Sequence, residues 1–149
     1  MVISLDTGPL SLVTHPKADP NADACKNWLA GHLSRGTRVV IPEVVDFELR
    51  RELLRAGKSR SLTRLDAFIS AEPDRLILLN RTAMLHAAEL WAKARQHGLA
   101  TADPKELDID VLQAAQLLTS GIDPAQLAVA TTNVGHLARF IKADLWINL

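Results

Sequence analysis

Asp6 follows a short apolar run, Val2-Ile3-Ser4-Leu5, and such a run ending in an acid reads as a β-strand that delivers a carboxylate at its carboxyl end. Open α/β sheets place their chemistry at that edge. Asp-Thr-Gly-Pro is also good turn chemistry, so Asp6 gains meaning only from its company. Glu48, Asp110 and Asn133 each stand at a junction or on a helix beside another predicted strand, so four oxygen-bearing side chains can converge on one sheet edge. Hard oxygen ligands of this kind select Mg²⁺ or Mn²⁺. Carboxylates packed together repel one another, and a divalent ion relieves that repulsion.

The elements that must position these groups alternate along the chain. Short β-branched or leucine-rich runs occur at Val2–Leu5, 38–41, 75–79 and Leu127–Thr131, with a further edge strand expected over 144–147. Between them, helical periodicity predicts helices over 20–34, 43–56, 59–71, 81–97 and 110–120, and a short one over 134–140. That alternation predicts a three-layer α/β/α architecture around a central parallel sheet of four to five strands. Pro42 suits the first turn of a helix, Gly57 and Gly121 suit helix stops, and Asp123-Pro124 punctuates the entry to the fourth strand. The polar, acidic stretch 98–109 reads as a loop beside the site.

With 149 residues the chain is expected to form a single domain over 1–149, large enough to bury a core without staples. Its single cysteine, Cys25, excludes an internal disulfide and a thiolate zinc cluster. No apolar stretch approaches the length that crosses a bilayer, and no signal-like segment opens the chain, so a cytoplasmic protein without a membrane partner is expected. The 17 Lys and Arg balance 17 Asp and Glu, so bulk charge does not decide for or against a polyanionic partner.

Each candidate has a structural reading beside the chemical one. Glu48 lies next to the stripe Val45, Leu49 and Leu53, where it could simply pair with Arg51 on a solvated helix face. Glu43 and Asp46 suit the positive end of the helix dipole. Asp110, three residues before Gln113, resembles half of a capping box, which leaves one carboxylate oxygen for an ion. Asp108 could cap a longer helix or stand behind the site. Asn133 suits an N-cap, and His136 is either a surface residue or a direct participant. The remaining histidines, at 15, 32, 86 and 97, show no ligand spacing, and Trp28, Trp91 and Trp146 fall on apolar faces.

Taken in order, Val2-Ile3-Ser4-Leu5-Asp6-Thr7, Pro42-Glu43-Val44-Val45-Asp46-Phe47-Glu48-Leu49, Asp110-Val111-Leu112-Gln113-Ala114-Ala115 and Val129-Ala130-Thr131-Thr132-Asn133-Val134-Gly135-His136-Leu137 resemble the PIN domain family of metal-dependent ribonucleases. Within it the resemblance is to the VapC-like toxins of bacterial toxin–antitoxin pairs. It covers nearly the whole chain. The resemblance implies Asp6, Glu48 and Asp110 as metal-binding catalytic acids, supported by Asn133 and by the hydroxyls of Thr7 and Thr131. It also implies an RNA substrate, a small antitoxin partner and a homodimer. Two positions depart from the pattern: His136 stands where many relatives have a fourth acid, and Gly8 where Asn is common.

Arg50, Arg51, Arg55, Lys58, Arg60 and Arg64 share one stretch with a single acid, Glu52. Arg51, Arg55, Lys58 and Arg60 are the candidates to track RNA phosphates beside the Glu48 helix. A solvated helical hairpin or an antitoxin-docking arm uses the same residues. Three functions therefore stand open: a toxin endoribonuclease, a housekeeping RNA-processing nuclease, and a PIN-like module that binds RNA or protein without cutting. A nucleotide binder fits less well, since no glycine-rich phosphate loop follows the first strand.

Overall fold

The structure is a computed structural model that describes residues 1–98 and 104–149. Its elements run β1 (Val2–Leu5), α1 (Thr7–Val13), α2 (Pro20–Ser34), β2 (Arg38–Pro42), α3 (Glu43–Arg55), α4 (Ser59–Ser70), β3 (Leu76–Ile77), α5 (Arg81–Gln96), α6 (Pro104–Leu118), β4 (Leu127–Thr131), α7 (Val134–Leu137) and β5 (Ala143–Leu145). The five strands form one sheet in the order β3-β2-β1-β4-β5, and every pairing is parallel. β1 is therefore central and flanked by β2 and β4, an arrangement that brings Asp6 and the end of β4 to the same edge.

The period-2 alternation of the strands sorts the core into two faces. Ile3 and Leu5 of β1 and Val39 and Ile41 of β2 face a core completed by α1 to α4, with Leu10, Cys25, Leu29, Val45, Leu49 and Leu65 buried in it. Val40 of β2 and Leu127 and Val129 of β4 face the other way, against Leu117 of α6 and Leu137 of α7. α5 forms the outer part of that layer, where Ala87 and Ala94 meet Leu107, Val111 and Ala115 of α6. Small side chains let these helices approach closely. The expected α/β/α layering is thus present, with all five strands.

Helix starts follow their caps. Asp19 accepts from the Ala22 amide at 2.8 Å ahead of Pro20, and Asn80 accepts from the Ala83 amide at 2.9 Å, so α2 and α5 begin where the sequence places them. Gly57 and Gly121 adopt φ of +65° and +81° after α3 and α6, as helix stops require.

Several boundaries differ from expectation: β3 is Leu76–Ile77 and not 75–79, and α7 stops at Leu137 and not at 140. α1 is an additional helix: Asp6 is its N-cap, accepting from the Thr7 amide at 2.8 Å, and Pro9 sits in its first turn. α6 begins at Pro104, not at 110; of the expected loop 98–109, residues 99–103 lie outside the described residues and 104–109 are helical. Asp110 therefore lies inside a helix and does not open it, and Asp108 is a helical residue and not a loop residue. Proline at the first helical position explains the earlier start. Finally, β5 is Ala143–Leu145 and gives way to a 3₁₀ turn at Trp146–Asn148.

Gln116 ties the layers together. Buried on α6, it accepts from the Val44 amide at 3.0 Å and donates to the Ile77 carbonyl at 2.6 Å, satisfying the first turn of α3 and the end of β3 at once. Trp28 and Trp146 stack edge to face with centroids 5.7 Å apart, whereas Trp91 is partly exposed under Arg95. Among the described residues no helix is long and apolar enough to cross a membrane.

Candidate active site

At the carboxyl ends of β1 and β4 a cavity of about 240 Å³ is lined by Asp6, Glu48, Asp110, Asn133 and His136, together with Thr7, Gly8 and Thr132. Four elements deliver these groups. Asp6 continues β1 past its last residue, because its amide still donates to the Ala130 carbonyl of β4 at 2.9 Å. Glu48 reaches in from the second turn of α3. Asp110 projects from α6, and Asn133 and His136 come from the junction that turns β4 into α7.

Hydroxyl groups orient the acids. Thr131, fully buried at the end of β4, donates from Oγ1 to Asp6 Oδ2 at 2.6 Å, while Asp6 Oδ1 accepts from the Thr7 amide. The Thr7 hydroxyl donates to Glu48 Oε2. Thr7 therefore links the two carboxylates, with its amide on one and its hydroxyl on the other. Among the described residues neither Asp6 nor Glu48 belongs to an ion pair. The pairing of Glu48 with Arg51 that a solvated helix face would give is replaced by Thr7, and Arg51 lies over the Phe47 ring instead.

The remaining candidates divide cleanly. Asp110 lines the cavity, whereas Asp108 is exposed and does not, as two positions along a helix point to nearly opposite sides. Asn133 does cap α7, with its side chain accepting from the Gly135 amide at 3.3 Å, and still forms part of the cavity wall. The neighbouring acids of α3 serve structure: Glu43 Oε2 accepts from the Leu79 amide at 2.7 Å, and Asp46 holds Arg50 in a two-pronged contact at 2.9 and 3.1 Å.

Gly8 has a steric reason that the sequence does not display. A Cβ built there would stand 2.3 Å from Thr132 Oγ1 and 2.8 Å from its Cγ2, so Thr132 occupies the space a larger residue at position 8 would need. The two positions are coupled.

The donor chemistry fits a hard divalent ion, since carboxylate, amide and hydroxyl oxygens share one wall. Among the described residues, as the side chains stand, no three His, Cys, Asp or Glu form a group that could hold an ion. Cys25 offers no alternative centre: it is buried, and burial pushes its thiol up to about 11.

In the basic stretch, several cations are already engaged. Arg50 also meets Asp66 at 2.8 Å, Arg55 pairs with Glu52 at 2.8 Å, and Arg64 donates to the Thr14 carbonyl at 3.2 Å. Arg51, Lys58 and Arg60 are exposed and in no ion pair among the described residues.

Comparison with known proteins gives the family and the fold. The sequence model of the PIN domain matches residues 3–135. Among curated proteins none matches the sequence. Solved structures share the fold at low identity: VapBC2 from Rickettsia felis bound to a DNA fragment from their promoter has a TM-score of 0.69 at 18% identity, with 98% of this chain and 99% of that chain covered. DNA-bound VapBC from Salmonella typhimurium gives 0.68 at 18%, covering 98% of each chain. FitAcB from Neisseria gonorrhoeae gives 0.69 at 19%, covering 99% of each.

Proposed function

This chain belongs to the PIN domain family, and from that premise we propose that it is a cytoplasmic, divalent-metal-dependent endoribonuclease, the toxin of a toxin–antitoxin pair. The observation that carries the reading is the cavity at the carboxyl ends of β1 and β4, where Asp6 and Glu48 are oriented by hydroxyls and stand beside Asp110 and Asn133. Asp6, Glu48 and Asp110 are the residues that would hold Mg²⁺ or Mn²⁺. A bound ion there supplies a water made nucleophilic near neutral pH and charge neutralisation on the phosphoryl oxygens.

The chain's own residues do the rest. Thr131 fixes Asp6, and Thr7 fixes Glu48, so both carboxylates keep one orientation before substrate arrives. Asn133, at the mouth of the cavity, has an amide that can bond a substrate oxygen. Arg51, Lys58 and Arg60, with Arg55 more weakly because of Glu52, lead the RNA strand away from the cavity along α3 and α4.

The toxin assignment is supported by the resemblance to VapC-like toxins and by the fold shared with the VapBC structures. Exposed Phe47 and Leu54 on α3, whose second half also carries Arg50, Arg51 and Arg55, suit an apolar and acidic segment of a small antitoxin, and exposed Met84 and Leu85 on α5 suit pairing of two copies as a homodimer. A second reading is a PIN-like module that binds RNA without cutting, favoured by His136 at the cavity where an acid is common in relatives.

The test is purified protein on structured RNA with Mg²⁺, Mn²⁺ or EDTA. Metal-dependent cleavage that EDTA abolishes is expected. Binding with no cleavage in either metal selects the second reading.

A further inference from the structure

One nitrogen base stands among the acids of the cavity. His136 lines it from α7, half-buried, together with Asp6, Glu48 and Asp110. α7 is held in place on both sides: Leu137, the next residue, is buried with Leu117 and Val129, and Asn133 caps the helix through the Gly135 amide at 3.3 Å. The imidazole is therefore carried at a fixed point of the cavity wall.

The five histidines differ in what their rings do. His15 Nδ1 lies 3.0 Å from the Lys17 carbonyl, His32 Nδ1 3.5 Å from the Thr37 hydroxyl, His86 Nδ1 3.5 Å from Glu89 and His97 Nδ1 2.7 Å from the Lys93 carbonyl. Each of these rings is occupied by a residue close in sequence. His136 differs: among the described residues neither of its ring nitrogens takes part in a hydrogen bond or an ion pair. It is no counter-ion of the acids, since no carboxylate stands within ion-pair distance of it.

Three acids thus meet in a cavity that no lysine or arginine lines, and the wall group left uncommitted is an imidazole. Asp6 and Glu48 each spend one carboxylate oxygen on a hydroxyl, which fixes them. His136 must turn toward the acids to reach an ion that they hold, and no hydrogen bond of its ring resists that turn. Imidazole beside carboxylates makes a mixed nitrogen and oxygen donor set. Carboxylates suit Mg²⁺ and Mn²⁺ alike, whereas imidazole suits first-row transition ions, and Mg²⁺ keeps water in preference to other ligands.

We propose, on the reading of the cavity as a metal-dependent nuclease site, that His136 is a nitrogen ligand of its divalent ion and makes the site prefer Mn²⁺ to Mg²⁺. The acids alone would leave the two ions nearly equivalent.

The test uses the full, untagged chain without RNA, so that metal binding is read apart from cleavage. Electron spin echo envelope modulation of the Mn²⁺-loaded protein is expected to show ¹⁴N coupling that is lost when histidine is labelled with ¹⁵N. The other four histidines do not line the cavity, so that coupling belongs to His136. The spectrum is read on the unaltered chain and does not depend on how a variant folds. By calorimetry, His136→Ala should lower Mn²⁺ affinity at least about tenfold, since even groups one step removed from a metal are worth about 10–100-fold, and should change Mg²⁺ affinity much less. His136→Asp, which puts an oxygen donor in the same place, should bring the two affinities closer together. Mn²⁺ binding that Asp6→Asn abolishes but that shows no histidine coupling overturns the proposal and leaves the nuclease reading standing. Equal losses for the two ions in His136→Ala overturn it as well. Failure to bind either ion overturns both.

Discussion

Within one helix, α3, carboxylates a turn apart have opposite fates. Glu43 and Asp46 in its first turns are taken up by structure, one by the Leu79 amide and the other by Arg50. Among the described residues Glu48 receives only the hydroxyl of Thr7, and it opens onto the cavity that Asp6 and Asp110 share. An acid matched to a guanidinium or a backbone donor has its charge compensated locally and serves stability. A hydroxyl orients a carboxylate without neutralising it. The charge of Glu48, like that of Asp6 under Thr131, therefore remains for something that enters the cavity.

The largest effects should come from breaking that contrast on the cavity side. Asp6→Asn is expected to lower metal-dependent RNA cleavage by more than about 100-fold, since even groups one step removed from a metal are worth about 10–100-fold. Its thermal midpoint without metal should be unchanged or slightly higher, because one charge leaves a repulsive cluster. Cleavage at the parental rate would reduce Asp6 to the N-cap of α1. Glu48→Gln should match Asp6→Asn, whereas Glu43→Gln, which keeps an oxygen for the Leu79 amide, should stay within a few-fold. Asp110→Asn should likewise abolish cleavage, and exposed Asp108→Asn should leave most of it. The reverse order in rate assays would move the third acid to Asp108.

How much of this was legible follows from which interactions are local. β1 and Asp6 can be read from a β-branched run and the acid after it, and the starts of α2 and α5 from the cap signals at Asp19-Pro20 and Asn80. α1 was hidden because Asp-Thr-Gly-Pro satisfies a turn as well as a helix start. Pro104 was equally ambiguous: it suits a loop or the first position of a helix, and only packing against α5 decides. The contacts that orient the site join residues far apart, Thr7 to Glu48 and Thr131 to Asp6, and no spacing rule announces them. Gln113 and Gln116 are both polar residues on one helix, and only the fold shows that Gln116 is the one that bridges Val44 and Ile77.

A smaller effect concerns the coupling of Gly8 to Thr132. Gly8→Asn should cost about 1–3 kcal/mol as an overpacking change, since the new side chain meets Thr132 at its first carbon. Adding Thr132→Ala should recover most of that loss in a chemical denaturation series. If the double variant is no more stable than Gly8→Asn alone, the clash is relieved elsewhere and the coupling is not steric.

The smallest change tests whether the contrast between committed and available charges extends to the cations. Arg50 is bound by Asp46 and Asp66, so its charge is already compensated. Arg51, Lys58 and Arg60 are exposed and belong to no ion pair among the described residues, so they can release counterions when RNA binds. Each neutralised phosphate on a single strand contributes about 0.7 to the slope of log affinity against log salt. Replacing Arg51, Lys58 and Arg60 with Gln should thus flatten the slope by about 2. Arg50→Gln should leave the slope alone and lower the thermal midpoint instead. Fluorescence anisotropy with a labelled RNA across a salt series reads the first effect, and melting curves read the second. A slope unchanged in the triple variant would assign the stretch to a protein partner or to solvent, and the RNA path would have to lie on another face of the cavity.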